Sequence, residues 1–551
     1  MRDPKTIRMM RVLDKDIAEL SQKIHSSGKY EKSLFMPTSE SISILNAEID
    51  TLVRRINDID ISDPVYNILS GHFTDFIEAM RQSVNTYSDN PSRSIQMITG
   101  RMYSLCCMDY RPDEQRRDAV TARFQALPQL WHDGILPALD NITPEKLRSV
   151  LAALNQAKET AGHVIPKLEI SFKSLSKAQI DEIRLSIDAY LDNIGSYAEY
   201  VGKMIDEKGN SLRPAIRADD EVIEITQEEY RNALKNNIGV DLDEILSWYE
   251  YENAKTRLES LDIAGKIGHN VKSTAEVSDL LFKHAGPCDS PEEMFLRANL
   301  YLKRARAAAH DYIWLPENEV CECVPIPEQL KDSYPWGGYS SDWPSRYPLY
   351  NTMFLNNHNY TAITDGWIKI NALHEAYPGH HAQFLRAAID PIPETMKRGA
   401  KHVAHTEGVC IRTERAFEFV FPEDSYYPLM TAHRRHHTST RIKIDLMLNY
   451  FGKTIGEACN LYQKEMGFER KTARAQVQAH ENMTGYFTSY YYGMKKICDL
   501  EKQLCWDKRE YTELLFSYGR ISLDTFEKIV KLNPNDRHSL RHDFASLIQF
   551  S

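Results

Sequence analysis

The sequence predicts a mainly α-helical fold: a large multi-helix body with a few short strands. Three observations carry that reading. Apolar residues recur at steps of three and four, helix-start signals stand ahead of such stretches, and strand-like alternation is scarce. Thr143-Pro144-Glu145 supplies a capping residue, a first-turn proline and an acid at the positive end of a helix dipole. Ser176 with Gln179 forms a capping-box pair. It precedes Ile180, Ile183, Ile187, Tyr190, Leu191, Ile194, Tyr197 and Val201, an apolar stripe with charges between its members. Thr226 with Glu229 opens another helix in the same way, and Ser290-Pro291-Glu292-Glu293 a further one. The helix after it, Met294 to about His310, carries Leu296, Leu300 and Ala307 among Lys303, Arg304 and Arg306.

Two stretches interrupt this pattern. Glu207 to Pro214 is a polar connection containing Gly and Pro, and it divides an N-terminal helical region, 1–214, from a second region, 215–551. The two could also pack as one continuous body. From Val324 to Asn357 the chain is rich in Pro, Gly and aromatics, which excludes continuous helix. Within that stretch Tyr350 to Leu355 has the aromatic and β-branched content of a short strand.

Composition removes several function classes. The chain has 551 residues, about three to four domains at roughly 150 residues each. Its 42% hydrophobic and 26% charged residues supply an ample core. A net charge of −11 argues against dedicated nucleic-acid or anionic-membrane binding. The N-terminal residues have no apolar signal-peptide stretch, and no run approaches the ~18 apolar residues of a membrane span. Nine cysteines without framework spacing read as free thiols in a reducing cytoplasm. Neither Cys106-Cys107 nor Cys321-x-Cys323 has zinc-ligand spacing.

The most informative segment runs from Asn371 to His381 and contains His374-Glu375-Ala-Tyr-Pro378-Gly379-His380-His381. A His-Glu pair on a helix, with a second His one turn on, places two imidazoles and a general base around a metal. Here the position one turn on is Pro378, which cannot ligate and lacks a backbone donor. On a straight helix His380 and His381 would stand about 9 and 10.5 Å further along the axis, too far to share an ion with His374. The Pro-Gly pair must therefore kink or bulge the chain. Treated as a two-residue insertion, it restores the spacing for His380 and favours it over His381 as the second ligand. The bland alternative is a His-rich helix packed against acids. Against it stand eight of the 19 histidines between His374 and His437, and a carboxylate at Glu407.

At these residues the chain resembles a known family, the bacterial domain-of-unknown-function 885 proteins, which are similar to thermolysin-like zinc peptidases of the Glu-ligand type. The family's His-Glu-x-x-Pro-Gly-His-His signature is matched from His374 to His381. Its Glu-Gly motif, with a second Glu seven residues on, is matched by Glu407-Gly408 and Glu414, with Val409 where Trp is usual. Arg441-Ile-Lys-Ile-Asp445 and the Gly- and Tyr-bearing segment Gly485 to Gly493 are similar to downstream family segments. The similarity runs from about residue 215 to the C-terminus and is weaker before it. Asn449, Ala479 and Thr484 depart from the family's usual His, Arg and Pro.

The resemblance implies a helical metallopeptidase-like body with a deep active-site cleft and short strands beside the metal-binding helix. It also implies one zinc ion per chain, held by His374, by His380 or His381, and by Glu407. Such a set leaves an open position for water. Glu375 would then be the general base. Glu414 would orient a ligand imidazole, or else pair at the surface with Arg415 or Arg412. Tyr490 best matches the family's oxyanion donor, and His381 is a second candidate. Arg441, or Arg434 and Arg435, could clamp a substrate carboxylate. The strand from Tyr350 could pair with an extended peptide. The expected function is a zinc-dependent peptidase of carboxypeptidase or oligopeptidase type acting on short peptides. The other readings are a different metallohydrolase and a non-enzymatic helical protein that keeps its metal.

Overall fold

Helix-start chemistry sets many of the element boundaries. The structure is a computed structural model that describes residues 2–99, 102–107, 109, 111–139, 142–207, 217–328, 331, 336–340 and 349–546. In it the Lys146 amide donates to Thr143 Oγ1 at 3.4 Å, and helix Pro144–Val164 follows. Ser176 and Gln179 exchange backbone-to-side-chain bonds of 2.9 and 3.3 Å ahead of helix Lys177–Glu207. Thr226 and Glu229 do the same at 2.8 and 3.1 Å, and Ser290 caps helix Pro291–Ala309. Each such cap contributes about 1 kcal/mol by giving an orphan amide a partner.

The described residues fall into two compact units. One comprises the described residues of Met1–Pro214 with Pro327 and Glu328, the other those of Ala215–Ile326, Lys331–Ser341 and Leu349–Ser551. Most of the polar connection Glu207–Pro214 lies outside the described residues. In the first unit, helices Asp113–Gln129 and Pro144–Val164 pack on Lys177–Glu207. Phe124, Leu127, Leu147, Leu154, Ile183, Ile187 and Tyr190 are buried between them. The stripe read from the sequence is that inner face, with Leu191 and Tyr197 half-buried at its margin.

The second unit is also helical and carries a three-stranded sheet. Strands β1 (Val320–Pro325), β2 (Gly337–Ser340) and β3 (Tyr350–Leu355) lie in the order β1-β3-β2. β1 runs parallel to β3, with Val320 opposite Tyr350, and β2 runs antiparallel, with Gly337 opposite Leu355. Pro335, Trp343, Pro344 and Pro348 of the irregular stretch lie outside the described residues. Helix Pro291–Ala309 packs on β1, but not by the residues named from the sequence. Leu296 and Leu300 are 73% and 53% exposed, and Ala307 is exposed as well. The buried stripe is Met294, Ala298, Tyr301, Leu302, Ala305 and Ala309. Those six keep the three-to-four spacing of one helix face, whereas Leu296 and Leu300 stand on another, so apolar identity alone misplaced the stripe.

Two contacts position everything that follows. Helix Leu242–Lys266 packs along helix Tyr427–Asn449, whose buried residues include Arg434, His436, His437, Arg441 and Asp445. Helix Val403–Ala416 packs along helix Thr488–Leu504. These last two meet glycine to glycine: a Cβ on Gly408 would collide with the Gly493 backbone, and one on Gly493 with the Ala404 carbonyl. No helix among the described residues is long and apolar enough to cross a membrane.

That crossing gives a test with opposite signs. Gly408→Ala forces apart two packed helices and is expected to destabilise the protein by about 1–3 kcal/mol or more. Gly162→Ala sits in the exposed interior of a helix with nothing within 4 Å of the added carbon. It is expected to stabilise by about 0.5–1 kcal/mol. Denaturant melts of both variants read the contrast; a Gly408→Ala protein as stable as wild type would refute the close approach.

Candidate metal centre

The His374 segment begins as an ordinary helix and then breaks. Thr364 caps helix Asp365–Asn371, accepting from the Trp367 amide at 3.1 Å. Lys369 fixes it further, with Nζ 2.8 Å from Asp365 and 2.6 Å from Asp424. The helix widens into a single π turn, Ala372–Ala376, which carries His374 and Glu375. Such turns recur at functional sites. Tyr377 then leaves helical conformation at φ −129°, ψ 117°, the Tyr377-Pro378 bond is cis, and helix His380–Ile389 starts after Gly379. The chain passes so close to its own preceding turn that a Cβ on Gly379 would collide with the His374 and Leu373 carbonyls. Tyr377 pins the break to the sheet, donating to Glu319 at 2.6 Å and accepting from the Cys321 amide at 3.0 Å. The break thus sets the rings of His374 and His380 5.0 Å apart with planes at 88°.

Both imidazoles are held by Nδ1. His374 Nδ1 donates to Glu414 Oε1 at 2.8 Å, and His380 Nδ1 to Gln383 Oε1 at 3.1 Å. Each Nε2 is 3.5 Å from the same atom, Glu407 Oε2. That oxygen is buried and makes no hydrogen bond, while Oε1 of the same carboxylate accepts from Tyr486 at 2.6 Å. Two ligand atoms at ~2.1 Å from a tetrahedral ion stand about 3.4 Å apart, so a separation of this size suits a shared ion. Cys410, one turn beyond Glu407, places Sγ 3.3 Å from His380 Nδ1. The ligand atoms of His374, His380 and Cys410 lie within 4.8 Å of one another, so this buried cluster could hold a metal ion.

The local field favours a cation. Burial works against charge on His374, yet Glu407, Glu414 and Glu375 outweigh it and push the imidazole pKa up to about 10. Burial likewise opposes charge on Glu407, but His380 and His374 hold its carboxyl well below the usual range. The Tyr490 ring stacks on His374, 6.2 Å away and tilted by 12°. Its hydroxyl is 3.5 Å from that of Tyr486.

The remaining residues named from the sequence divide into those at the cluster and those away from it. Glu375 is half-buried beside His374. Glu414 sits on His374, while Arg415 and Arg412 go to Glu259 and Glu501 at 2.7 and 2.8 Å. His381 belongs to another network: its Nε2 is 2.6 Å from Glu319 Oε2, and Glu319 Oε1 takes Arg306 at 2.5 Å. Tyr350 stands at the head of β3 with its hydroxyl on Glu322 at 3.0 Å, a contact within the sheet. β3 cannot add a peptide strand, because β1 and β2 already occupy both its edges. The strand beside the cluster is β2, whose Tyr339 ring lies 6.3 Å from His380 and 6.1 Å from His381. Of the clustered histidines, only His374 and His380 converge. His402 bonds Thr406, His433 bonds Ser278, His436 bonds Glu465, and burial pushes the His405 pKa down to about 4.

Sequence reasoning missed Cys410 and Gln383, and it missed the hold of Tyr486 on Glu407, having counted Tyr486 only among the phenols of the segment Gly485 to Gly493. Helical spacing held a signal for the first two, since Cys410 is three residues from Glu407 and Gln383 three from His380. Tyr486 had none, because its contact with Glu407 spans 79 residues.

The model of one protein family, "Bacterial protein of unknown function (DUF885)", matches residues 44–530. The chain belongs to this family. A search of curated proteins returns no match. Two solved structures of "putative lipoprotein" chains share the fold. The one from Colwellia psychrerythraea has 16% identity and a TM-score of 0.75, covering 98% of this chain and 100% of its own. The one from Shewanella oneidensis, described as of unknown function, has 14% identity and a TM-score of 0.73, covering 96% and 100%. A Pyrococcus furiosus carboxypeptidase aligns over 99% of this chain and 94% of its own, but at 10% identity and a TM-score of 0.38, too low to indicate a shared fold.

Metal affinity separates the two histidines of the His-His pair. His374→Ala or His380→Ala is expected to abolish metal retention in equilibrium dialysis. His381→Ala, remote in its bonding, should change affinity little. Glu414→Gln should weaken it by about 10–100-fold by releasing His374. Loss of metal in His381→Ala alone would overturn this arrangement.

Proposed function

We propose that this protein is a zinc-dependent hydrolase that cleaves short peptides as a carboxypeptidase or oligopeptidase. The observation that carries the reading is Glu407 Oε2, buried without a hydrogen bond and 3.5 Å from Nε2 of both His374 and His380. Leaving such an oxygen unpaired is costly unless something else satisfies it. With the Nδ1 atoms committed elsewhere, the donor set is two Nε2 atoms and one carboxylate, the set that suits a catalytic zinc. Glu407 is a better third ligand than Cys410. Cys410 Sγ lies 3.3 Å from His380 Nδ1, the nitrogen already committed to Gln383, whereas Glu407 Oε2 faces both Nε2 atoms.

Zinc at these residues would lower the pKa of a bound water toward ~7 and polarise a substrate carbonyl. The protein's own groups supply the rest. Glu375, adjacent to His374 on the π turn, accepts the proton of the attacking water and returns it to the leaving amine. Glu414 and Gln383 fix the two imidazoles. Tyr486 holds Glu407. Tyr490 stays protonated because burial pushes its pKa up, and in this reading it donates to the oxygen on which charge develops. His381, bound to Glu319, positions the turn and takes no part in proton transfer. The described cysteines are free, which fits the reducing cytoplasm as the protein's compartment.

The test is a peptide-library digest with zinc-loaded protein. Wild type should cleave and lose activity with chelator, and Glu375→Gln should keep its zinc while losing about 10²–10⁴ in rate. Glu407→Gln should lose zinc, whereas Cys410→Ser should keep it. Zinc-loaded wild type without turnover on any peptide would defeat the peptidase reading, and zinc lost in Cys410→Ser but kept in Glu407→Gln would replace the ligand set.

A further inference from the structure

Helix Tyr427–Asn449 carries Arg434, His437 and Arg441 at spacings of three and four, and so on one face. All three are more than nine-tenths buried, with exposures of 8%, 8% and 6%. Burying a guanidinium normally requires a carboxylate fully bonded to it. Here neither guanidinium has a carboxylate fully bonded to it among the described residues; Arg434 has a 3.5 Å ion pair with Glu414. Nε and Nη1 of Arg434, Nε of Arg441 and Nε2 of His437 make no hydrogen bond. Arg441 reaches neutral groups, donating to Gln476 Oε1 at 3.3 Å and meeting the Tyr462 hydroxyl. Arg434 Nε stands 3.5 Å from Glu414 Oε1, beyond a good hydrogen bond, and that oxygen already takes the His374 proton at 2.8 Å. Burial, then the neighbouring Arg434 charge, pushes the Arg441 pKa down. The same two arginines, after burial, keep His437 neutral.

The two guanidinium groups lie close to the metal-binding side chains. Both pack on the Tyr490 ring, Arg434 at 5.9 Å and Arg441 at 5.3 Å, and that ring stacks on His374. Trp367 lies under Arg434 at 5.1 Å, and Phe487 under Arg441 at 4.8 Å. Tyr490 and Trp367 are half-buried over the pair.

We infer that Arg434 and Arg441 together form an anchor for a substrate carboxylate, which makes the substrates short peptides with a free C-terminal carboxylate. The inference rests on the proposed hydrolase site and adds the end from which the peptide is recognised. The planar fork of arginine matches a carboxylate with two parallel bonds, and the orphaned N–H groups supply such bonds. At about 3.5 Å per extended residue, a carboxylate held here lies roughly one to three residues from a carbonyl beside His374 and His380. Arg435, named with Arg434 from the sequence, is excluded because it pairs with Glu259.

The experiment uses the full chain, zinc-loaded and carrying Glu375→Gln so that bound peptides persist. A mixed tripeptide pool is offered by equilibrium dialysis, once as free acids and once as carboxamides, and retained peptides are counted by mass spectrometry. The acids should be retained at least about tenfold better. Arg434→Gln or Arg441→Gln should bring acids and amides level, and Arg441→Lys should keep part of the preference. Equal retention of acids and amides, no retention of acids, or a preference that survives both glutamine variants would overturn the inference. Acid preference in a protein whose wild type cleaves no peptide would leave the anchor standing and the hydrolase reading fallen. Equal cleavage of acids and amides would do the reverse.

Discussion

Helices Val403–Ala416 and Thr488–Leu504 approach each other through Gly408 and Gly493, at a distance no other residue pair would allow. That approach lets Tyr486 and Tyr490, at the start of one helix, reach Glu407 and His374 at the heart of the other side of the site. Along the first of these helices Glu407, Cys410 and Glu414 share one face by their spacing, so one rigid element presents a carboxylate to both imidazoles and a second carboxylate behind one of them. The Glu-Gly motif is therefore one device: the glycine sets the distance and the glutamate uses it.

The second requirement is the break after His374. A regular helix would carry the next histidine away, and Pro378 forbids a regular helix. The π turn and the return of the chain past the His374 carbonyl place His380 within reach while sending His381 to Glu319. The neighbouring sequence positions thus do unrelated work. One imidazole faces Glu407, and the other ties the turn to Glu319 and through it to Arg306 and Tyr377.

Much of this was legible in the sequence because its signals are local. Helix caps, the apolar stripe of Lys177–Glu207 and the need for a break at Pro378 all depend on residues a few positions apart. For Glu414, two turns beyond Glu407, spacing left open a ligand imidazole or a surface arginine, and the structure sets it on His374. What escaped depends on distant packing. Leu296 and Leu300 look like core residues until β1 selects the opposite face of their helix. Tyr350 to Leu355 reads correctly as a strand, but its place between two others is a matter of topology. The density of histidines was misleading in part, since most of them fill polar interior positions of helices and only two face the same carboxylate oxygen.

The most direct test of the central claim is anomalous diffraction at the zinc edge from crystals of the zinc-loaded protein. The account predicts one peak per chain at ~2.0–2.2 Å from Nε2 of His374, Nε2 of His380 and a Glu407 oxygen, with His381 still on Glu319. A peak on Cys410 or His381 in place of Glu407, or no peak at this site, would contradict it.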